Sequence, residues 1–394
     1  MKFKRTFLIV CDSMGIGNAK DAKKYNDDEA NTLKHICEFS KGLHTPCLEE
    51  LGLGNLDDFL GINKNNNPKA YTLKMNEISN GKDTMTGHWE MMGLKTSTPF
   101  VTFTDTGFPK EFIDLFEEKT GRKCVGNIAC SGTEILDMYG EHQIKTGDWI
   151  VYTSADSVFQ IAANEEIIPL EELYDACKIA REIAMDDRWK VGRIIARPYL
   201  GNKKGAFTRT ANRHDYALAP FDRTALDELK DNNLDVIGVG KIPDIFVDQG
   251  ITKKVKTVSN EDGMNKTIDL AKNDDFTGLA FINLVDFDAM YGHRRDPIGY
   301  GKAIEQFDYQ LNELINNLNE DDLLMITADH GNDPTYKGTD HTREQVPLII
   351  YSKAFKKMKQ LAESDSFGII GATINEIYDT EYNGIGESIL DKLK

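Results

Sequence analysis

Three apolar runs that each stop at an acid constrain this chain more than any other feature: RTFLIVCDSMG, TGLAFINLVDFDAMYGH and DDLLMITADHG. Their hydrophobic stretches are continuous rather than alternating, which is the pattern of strands covered on both faces, as in a parallel sheet flanked by helices. TALDELKDNN, GMNKTIDLAKN and AIEQFDYQLNELINNLNE are helix-like stretches interspersed with them. Strand-helix alternation of this kind predicts an open α/β core with a mainly parallel sheet, and such sheets gather their ligands at the carboxyl ends of the strands. Asp12, Asp286, Asp288 and Asp329 stand at those ends.

The middle of the chain is organised differently. From 100 to 217 it has strands of its own (DWIVYTSADS, VGRIIARPYLG), a helix (LEELYDACKIAREIAM) and loops rich in Gly, Arg and Asn. We read this stretch as an inserted smaller α/β cap domain, with 1–99 and 218–394 forming one core. NKNNNP is the only short biased tract and reads as a surface loop.

Composition removes several function classes. With 64 acidic against 47 basic residues the net charge is −17, which repels a phosphate backbone, so no nucleic-acid partner is expected. The apolar run Phe7 to Cys11 is too short for a secretory signal and no stretch has the length of a membrane span, so no membrane partner is expected either. Six cysteines without a CxxC pair suggest reduced thiols and a cytoplasmic location. Nothing points to an obligate protein partner.

Asp12, Asp288, His293, Asp329, His330 and His341 lie at or just past the strand ends and offer six oxygen and nitrogen ligands. Two divalent ions with three protein ligands each would be satisfied, with positions left open for substrate. The thiolate-free set suits Mn²⁺, Mg²⁺ or Zn²⁺. DSMGIGNA offers a rival reading as a dinucleotide fingerprint, but Lys20 occupies the third glycine position. A second motif, GKDTMTGHWEMMG, presents a hydroxyl, Thr84, followed closely by a glycine and an imidazole. Thr84 reads as a nucleophile activated by cations or as a plain helix N-cap. His88 and Trp89 read as packing or site residues, and Met91 and Met92 as core.

Together with GNIACSGTEI, YTSADSVFQIAA, RTANRHDYAL, NLVDFDAMYGHRRD and ITADHGNDPT…GTDHTRE, these motifs resemble the bacterial phosphopentomutases of the alkaline phosphatase superfamily, over almost the whole chain. The resemblance implies an alkaline-phosphatase-like core and an enzyme that interconverts ribose 1-phosphate and ribose 5-phosphate, and the 2-deoxy sugars, with small-molecule pentose phosphates as its partners. It assigns Asp12, Asp329 and His330 to one ion and Asp288, His293 and His341 to the other, with Mn²⁺ the expected metal and Asp286 a second candidate in its motif. Thr84 matches the family's phosphorylated threonine, which implies a pentose 1,5-bisphosphate intermediate and a sugar bisphosphate such as glucose 1,6-bisphosphate as activator. Asp156 suits the ribose hydroxyls; Arg193, Arg209 and Lys241 suit the distal phosphate, with Arg197 and Arg213 as nearby rivals. A metal-dependent phosphohydrolase on the same core and a metal-stabilised binding protein are the alternatives.

Overall fold

The structure, a computed structural model, describes residues 3–154 and 156–393. The chain divides into two compact units, Met1–Thr98 with Ala219–Lys394, and Pro99–Leu218.

The first unit is built on a seven-stranded sheet. Its strands run in the order Lys253–Val255, Asp235–Val239, Gly278–Leu284, Arg5–Cys11, Asp322–Thr327, Val346–Tyr351 and Tyr71–Met75. The first five are parallel and the last two pair antiparallel at one edge. The three strands expected from the apolar runs are buried along their whole length. They are also neighbours, with Arg5–Cys11 in the middle, and this adjacency positions the site. Register pairs Cys11 with Leu284 and Val10 with Thr327, so the three chains leave the sheet at one level and on one edge. The acids that end the runs are thereby delivered to a common place.

The opposite end of the same strands is tied by a buried cation. Arg5 donates from Nε to Asp322 Oδ1 at 2.8 Å and from Nη2 to Asp322 Oδ2 at 2.6 Å. The guanidinium also donates to the carbonyls of Ala271 and Asp274, at the end of helix Asn260–Asn273, where the last carbonyls lack intrahelical donors. That helix packs against helix Pro297–Asn317, which Pro297 at its first turn helps to start.

The second unit has a mixed sheet in the order Cys124–Ala129, Trp149–Thr153, Val158–Asn164, Arg193–Leu200 and Thr208–Arg209, with His214–Ala217 also paired to Arg193–Leu200. Side chains alternate along Trp149–Thr153. Trp149 and Val151 join an aromatic-rich core with Phe108, Phe112, Phe116 and Phe159, while Ile150 and Tyr152 join a smaller one with Ile135 and Tyr199.

Candidate metal centre and nucleophile

Asp12 follows the central strand and is fully buried. Its Oδ2 accepts from Asn283 Nδ2 at 2.8 Å, whereas Oδ1 accepts no hydrogen bond and lies 3.5 Å from His330 Nε2. Asp329, also fully buried, repeats the arrangement: Oδ1 accepts from Ser13 N at 3.0 Å, and Oδ2 accepts no hydrogen bond and lies 3.4 Å from His330 Nε2. His330 turns its Nδ1 to the Gly331 carbonyl at 3.0 Å, so Nδ1 carries the proton and Nε2 presents a lone pair. Donor atoms of Asp12, Asp329 and His330 lie within 4.8 Å of one another. Two buried carboxylate oxygens that accept no hydrogen bond, facing an imidazole lone pair, are costly for an empty interior. A divalent cation removes that cost, so the residues present fit one.

The second set forms where strand Gly278–Leu284 runs into a turn of π-helix, Phe287–Gly292. Asp288 lies on that turn, with Oδ2 3.2 Å from His293 Nε2 and Oδ1 3.5 Å from His341 Nε2. The two Nε2 atoms are 3.0 Å apart, an approach that suits ligands of one ion. Asn332 Nδ2 donates to Asp288 Oδ1 at 2.8 Å. His330 also groups with Asp288 and His341 within 4.8 Å, so it touches both sets rather than one. Asp286 is engaged elsewhere: its Oδ2 accepts from Asn260 N at 2.7 Å and its own N–H donates to Asn260 Oδ1 at 2.9 Å.

Titration follows from this crowding. Burial, then Asp329 and Asp288, push the Asp12 carboxyl up to about 7. Burial also acts against the Asp329 and Asp288 carboxylates, but His330 beside the first and His341 and His293 beside the second outweigh it and hold both below the usual range. For His330, burial favours the neutral ring and the three carboxylates prevail over it, raising its pKa.

Thr84 opens helix Thr84–Met91, and its Oγ1 lies 3.2 Å from His330 Nε2. The N-cap reading of Thr84 is corrected here, because Asp83 is the N-cap, accepting from Thr86 N at 3.1 Å and from Thr86 Oγ1 at 2.6 Å. A carboxylate caps the turn better than a hydroxyl competing at the next position, which leaves the Thr84 hydroxyl out of the cap and facing His330. The glycine of the motif has its own reason. A Cβ on Gly87 would lie 2.3 Å from the Asp329 carbonyl oxygen, so only glycine lets the helix press onto the loop that carries Asp329 and His330. Met91 and Met92 are core, as expected.

The residues expected to hold sugar and distal phosphate fall in both units, Lys241 in the first and Asp156, Arg193 and Arg209 in the second. Lys241 is exposed, just before the short helix Ile242–Ile245. In the second unit, Asp156 and Arg193 meet each other, Nη2 to Oδ2 at 3.2 Å, and Arg209 is exposed on its two-residue strand. Of the rivals, Arg213 makes a double hydrogen bond to Asp215, at 2.7 and 2.6 Å, and Arg197 donates to Gln160 Oε1 at 2.9 Å.

Sequence reasoning left His88 open and missed Asn283, Asn332 and Arg343. His88 is fully buried, with Nδ1 2.8 Å from the Thr84 carbonyl and 3.2 Å from Asp329 Oδ2. Its ring stacks on Phe281. The usable signal was its place four residues after Thr84, one helical turn on the same face. Asn283 and Arg343 lay inside the motifs NLVDFDAMYGHRRD and GTDHTRE, but neither was read as a site residue, since a lone amide or guanidinium reads as surface.

A family model described as the Metalloenzyme superfamily matches residues 4–382. A phosphopentomutase from Clostridium tetani is 57% identical over 396 residues, covering 100% of this chain and 99% of that protein. One from Clostridium beijerinckii is 57% identical over 394 residues with the same coverage. Among solved structures, the PH0037 protein of Pyrococcus horikoshii superposes with a TM-score of 0.50 at 15% identity, over 98% of this chain and 100% of that one, a likeness of fold.

Proposed function

This chain belongs to the phosphopentomutase family, within the metalloenzyme superfamily, and from that premise we propose that it interconverts α-D-ribose 1-phosphate and D-ribose 5-phosphate, and the 2-deoxy sugars, through phosphorylated Thr84. The observation that carries the reading is the Thr84 hydroxyl 3.2 Å from His330 Nε2, beside buried carboxylate oxygens that accept no hydrogen bond. Asp12, Asp329 and His330 would hold one divalent ion and Asp288, His293 and His341 a second, with Mn²⁺ the first choice. When bound, the ions neutralise phosphoryl charge and lower the pKa of an attacking hydroxyl.

The chain's own residues do the rest. Phosphothreonine 84 gives its phosphoryl group to the free hydroxyl of the sugar monophosphate: the bond from phosphorus to Thr84 Oγ1 breaks as one to the sugar oxygen forms. The pentose 1,5-bisphosphate then returns the phosphoryl group of its other end to Thr84. The proton lost by one sugar hydroxyl is regained by the other oxygen, so the cycle is balanced and both halves are one in-line transfer. A sugar bisphosphate such as glucose 1,6-bisphosphate primes unphosphorylated enzyme in the same way. Asp156 is assigned to the ribose hydroxyls, and Arg193, Arg209 and Lys241 to the distal phosphate. Arg209→Ala is expected to lower kcat/KM by roughly 2 kcal/mol, the size of a lost charged hydrogen bond, with metal content unchanged; wild-type kinetics would move the assignment to another arginine.

The test supplies ribose 1-phosphate, Mn²⁺ and a trace of glucose 1,6-bisphosphate and follows ribose 5-phosphate and inorganic phosphate separately. Ribose 5-phosphate should dominate, and Thr84→Ala should abolish turnover. Stoichiometric inorganic phosphate would make the enzyme a phosphohydrolase, and an active Thr84→Ala would remove the nucleophile.

A further inference from the structure

The motif that supplies Thr84 also supplies His88, and the reaction above gives His88 no part. Its surroundings do. Both groups near Nδ1, the Thr84 carbonyl at 2.8 Å and Asp329 Oδ2 at 3.2 Å, are acceptors, so Nδ1 carries a hydrogen. Nε2 lies 3.3 Å from Asn283 Nδ2. That same amide nitrogen donates to Asp12 Oδ2 at 2.8 Å, and turning the amide over would set its oxygen against the carboxylate. The amide therefore has one hydrogen for Asp12 and one for the His88 lone pair.

We infer that His88 and Asn283 are a pair of positioning residues that hold Asp12 and Asp329 in one fixed orientation and lock the Thr84 turn to them. The path is continuous: Thr84 carbonyl and Asp329 to His88 Nδ1, His88 Nε2 to the Asn283 amide, and the amide to Asp12. At Asp12 the amide takes Oδ2 and leaves Oδ1 without a hydrogen bond, 3.5 Å from His330 Nε2; at Asp329 the Ser13 N–H takes Oδ1, and Oδ2 lies between His88 Nδ1 at 3.2 Å and His330 Nε2 at 3.4 Å. A buried bridge between two ligands sets which oxygen faces the ion, and partners of this kind are worth about 10–100-fold in metal affinity when removed. Phe281 stacks on the ring at 5.7 Å between centroids, and Asn283 stands two residues further along that same buried strand. The strand thus supports the bridge at both of its members. Packing alone does not explain the choice of residue, because a phenyl ring would fill the same slot without either polar contact.

The inference rests on the reading that Asp12, Asp329 and His330 hold an ion. Mn²⁺ is titrated calorimetrically into metal-free wild type, Asp12→Ala, His88→Phe, His88→Asn and Asn283→Leu, alongside thermal melts and steady-state kinetics on ribose 1-phosphate. Asp12→Ala should lose one ion. His88→Phe and Asn283→Leu should weaken that same ion about 10–100-fold, leave the other in place, and lower kcat while KM changes less than about twofold. His88→Asn, which keeps a donor toward Thr84 and Asp329, should recover part of the affinity. Wild-type binding of both ions by His88→Phe would overturn the inference, as would equal weakening of both ions with a matching fall in melting temperature, the mark of a role in packing alone. Should His88→Phe fail to fold, Asn283→Leu decides by the same criteria. Asp12→Ala that keeps both ions would instead overturn the metal assignment itself.

Discussion

Gly87 shows how much the site depends on one absent methyl group. Its backbone is ordinary helix, so conformational freedom is not at issue; the constraint is the Asp329 carbonyl, 2.3 Å from where a Cβ would sit, with the Asp329 Cβ at 3.0 Å. Neither neighbour is the far end of a flexible side chain, so the strain passes to the backbone between Asp329 and His330 or to the helix bearing Thr84. Gly87→Ala is expected to cost ~1–3 kcal/mol of stability, as overpacking does, and to lower Mn²⁺ affinity as well. Calorimetric metal binding and a thermal melt check this together. A variant that melts lower but binds metal as wild type would show that the helix, not the site, absorbs the displacement.

Between elements the decisive residue is Arg343, two positions after His341. Its side chain is buried against Glu77, to which it is paired through Nη1, and its Nη atoms also donate to the Gly81 and Glu77 carbonyls at 2.6 and 2.5 Å. Asp21 accepts from Nε at 2.9 Å. The guanidinium therefore fastens the loop that leads into Thr84 to the segment carrying His341. Arg343→Met is expected to cost ~3–5 kcal/mol, because it strands the buried Glu77; adding Glu77→Gln should recover part of it. Equilibrium unfolding of the single and double variants tests this, and equal losses in both would mean that the carbonyl contacts, not the ion pair, carry the energy. These contacts join segments far apart in the sequence and were not legible there. The three central strands of the first sheet were legible, since unbroken apolar runs have few alternatives to burial on both faces; its four outer strands were not read from the sequence. Asp12, Asp288 and Asp329 stood out because each broke such a run. What the runs do not contain is register: that Cys11 pairs with Leu284 and Val10 with Thr327 is a property of three distant segments, and so are the partners of His88 and Asn283.

At the scale of the molecule, the cluster makes stability depend jointly on protons and metal. The chain carries a net charge of −17 and buries Asp12, Asp288 and Asp329 side by side. Without cations, the folded chain keeps a proton on Asp12 up to about pH 7, whereas the unfolded chain releases it near pH ~4. Between those values the folded state binds more protons than the unfolded one, so metal-free stability should fall as pH rises from ~4 to about 7, and the raised pKa of His330 continues the fall above the ordinary imidazole value of ~6.5. A divalent ion competes for the same carboxylate, so its binding should release protons and strengthen as pH rises through that window. The neighbouring carboxylates act in the other direction: Asp329 and Asp288, held low by His330 and by His341 with His293, add stability above the unfolded carboxylate range that is lost only in stronger acid. The expected outcome is a Mn²⁺-induced rise in melting temperature that grows from pH 5 to pH 8, and Asp12→Asn should flatten both the metal-free decline and this growth. Melts with and without Mn²⁺ across that range measure it, with titrations in two buffers of different ionisation enthalpy counting the protons released. A metal-induced shift that is the same at pH 5 and pH 8 would mean that Asp12 is already ionised in the metal-free fold.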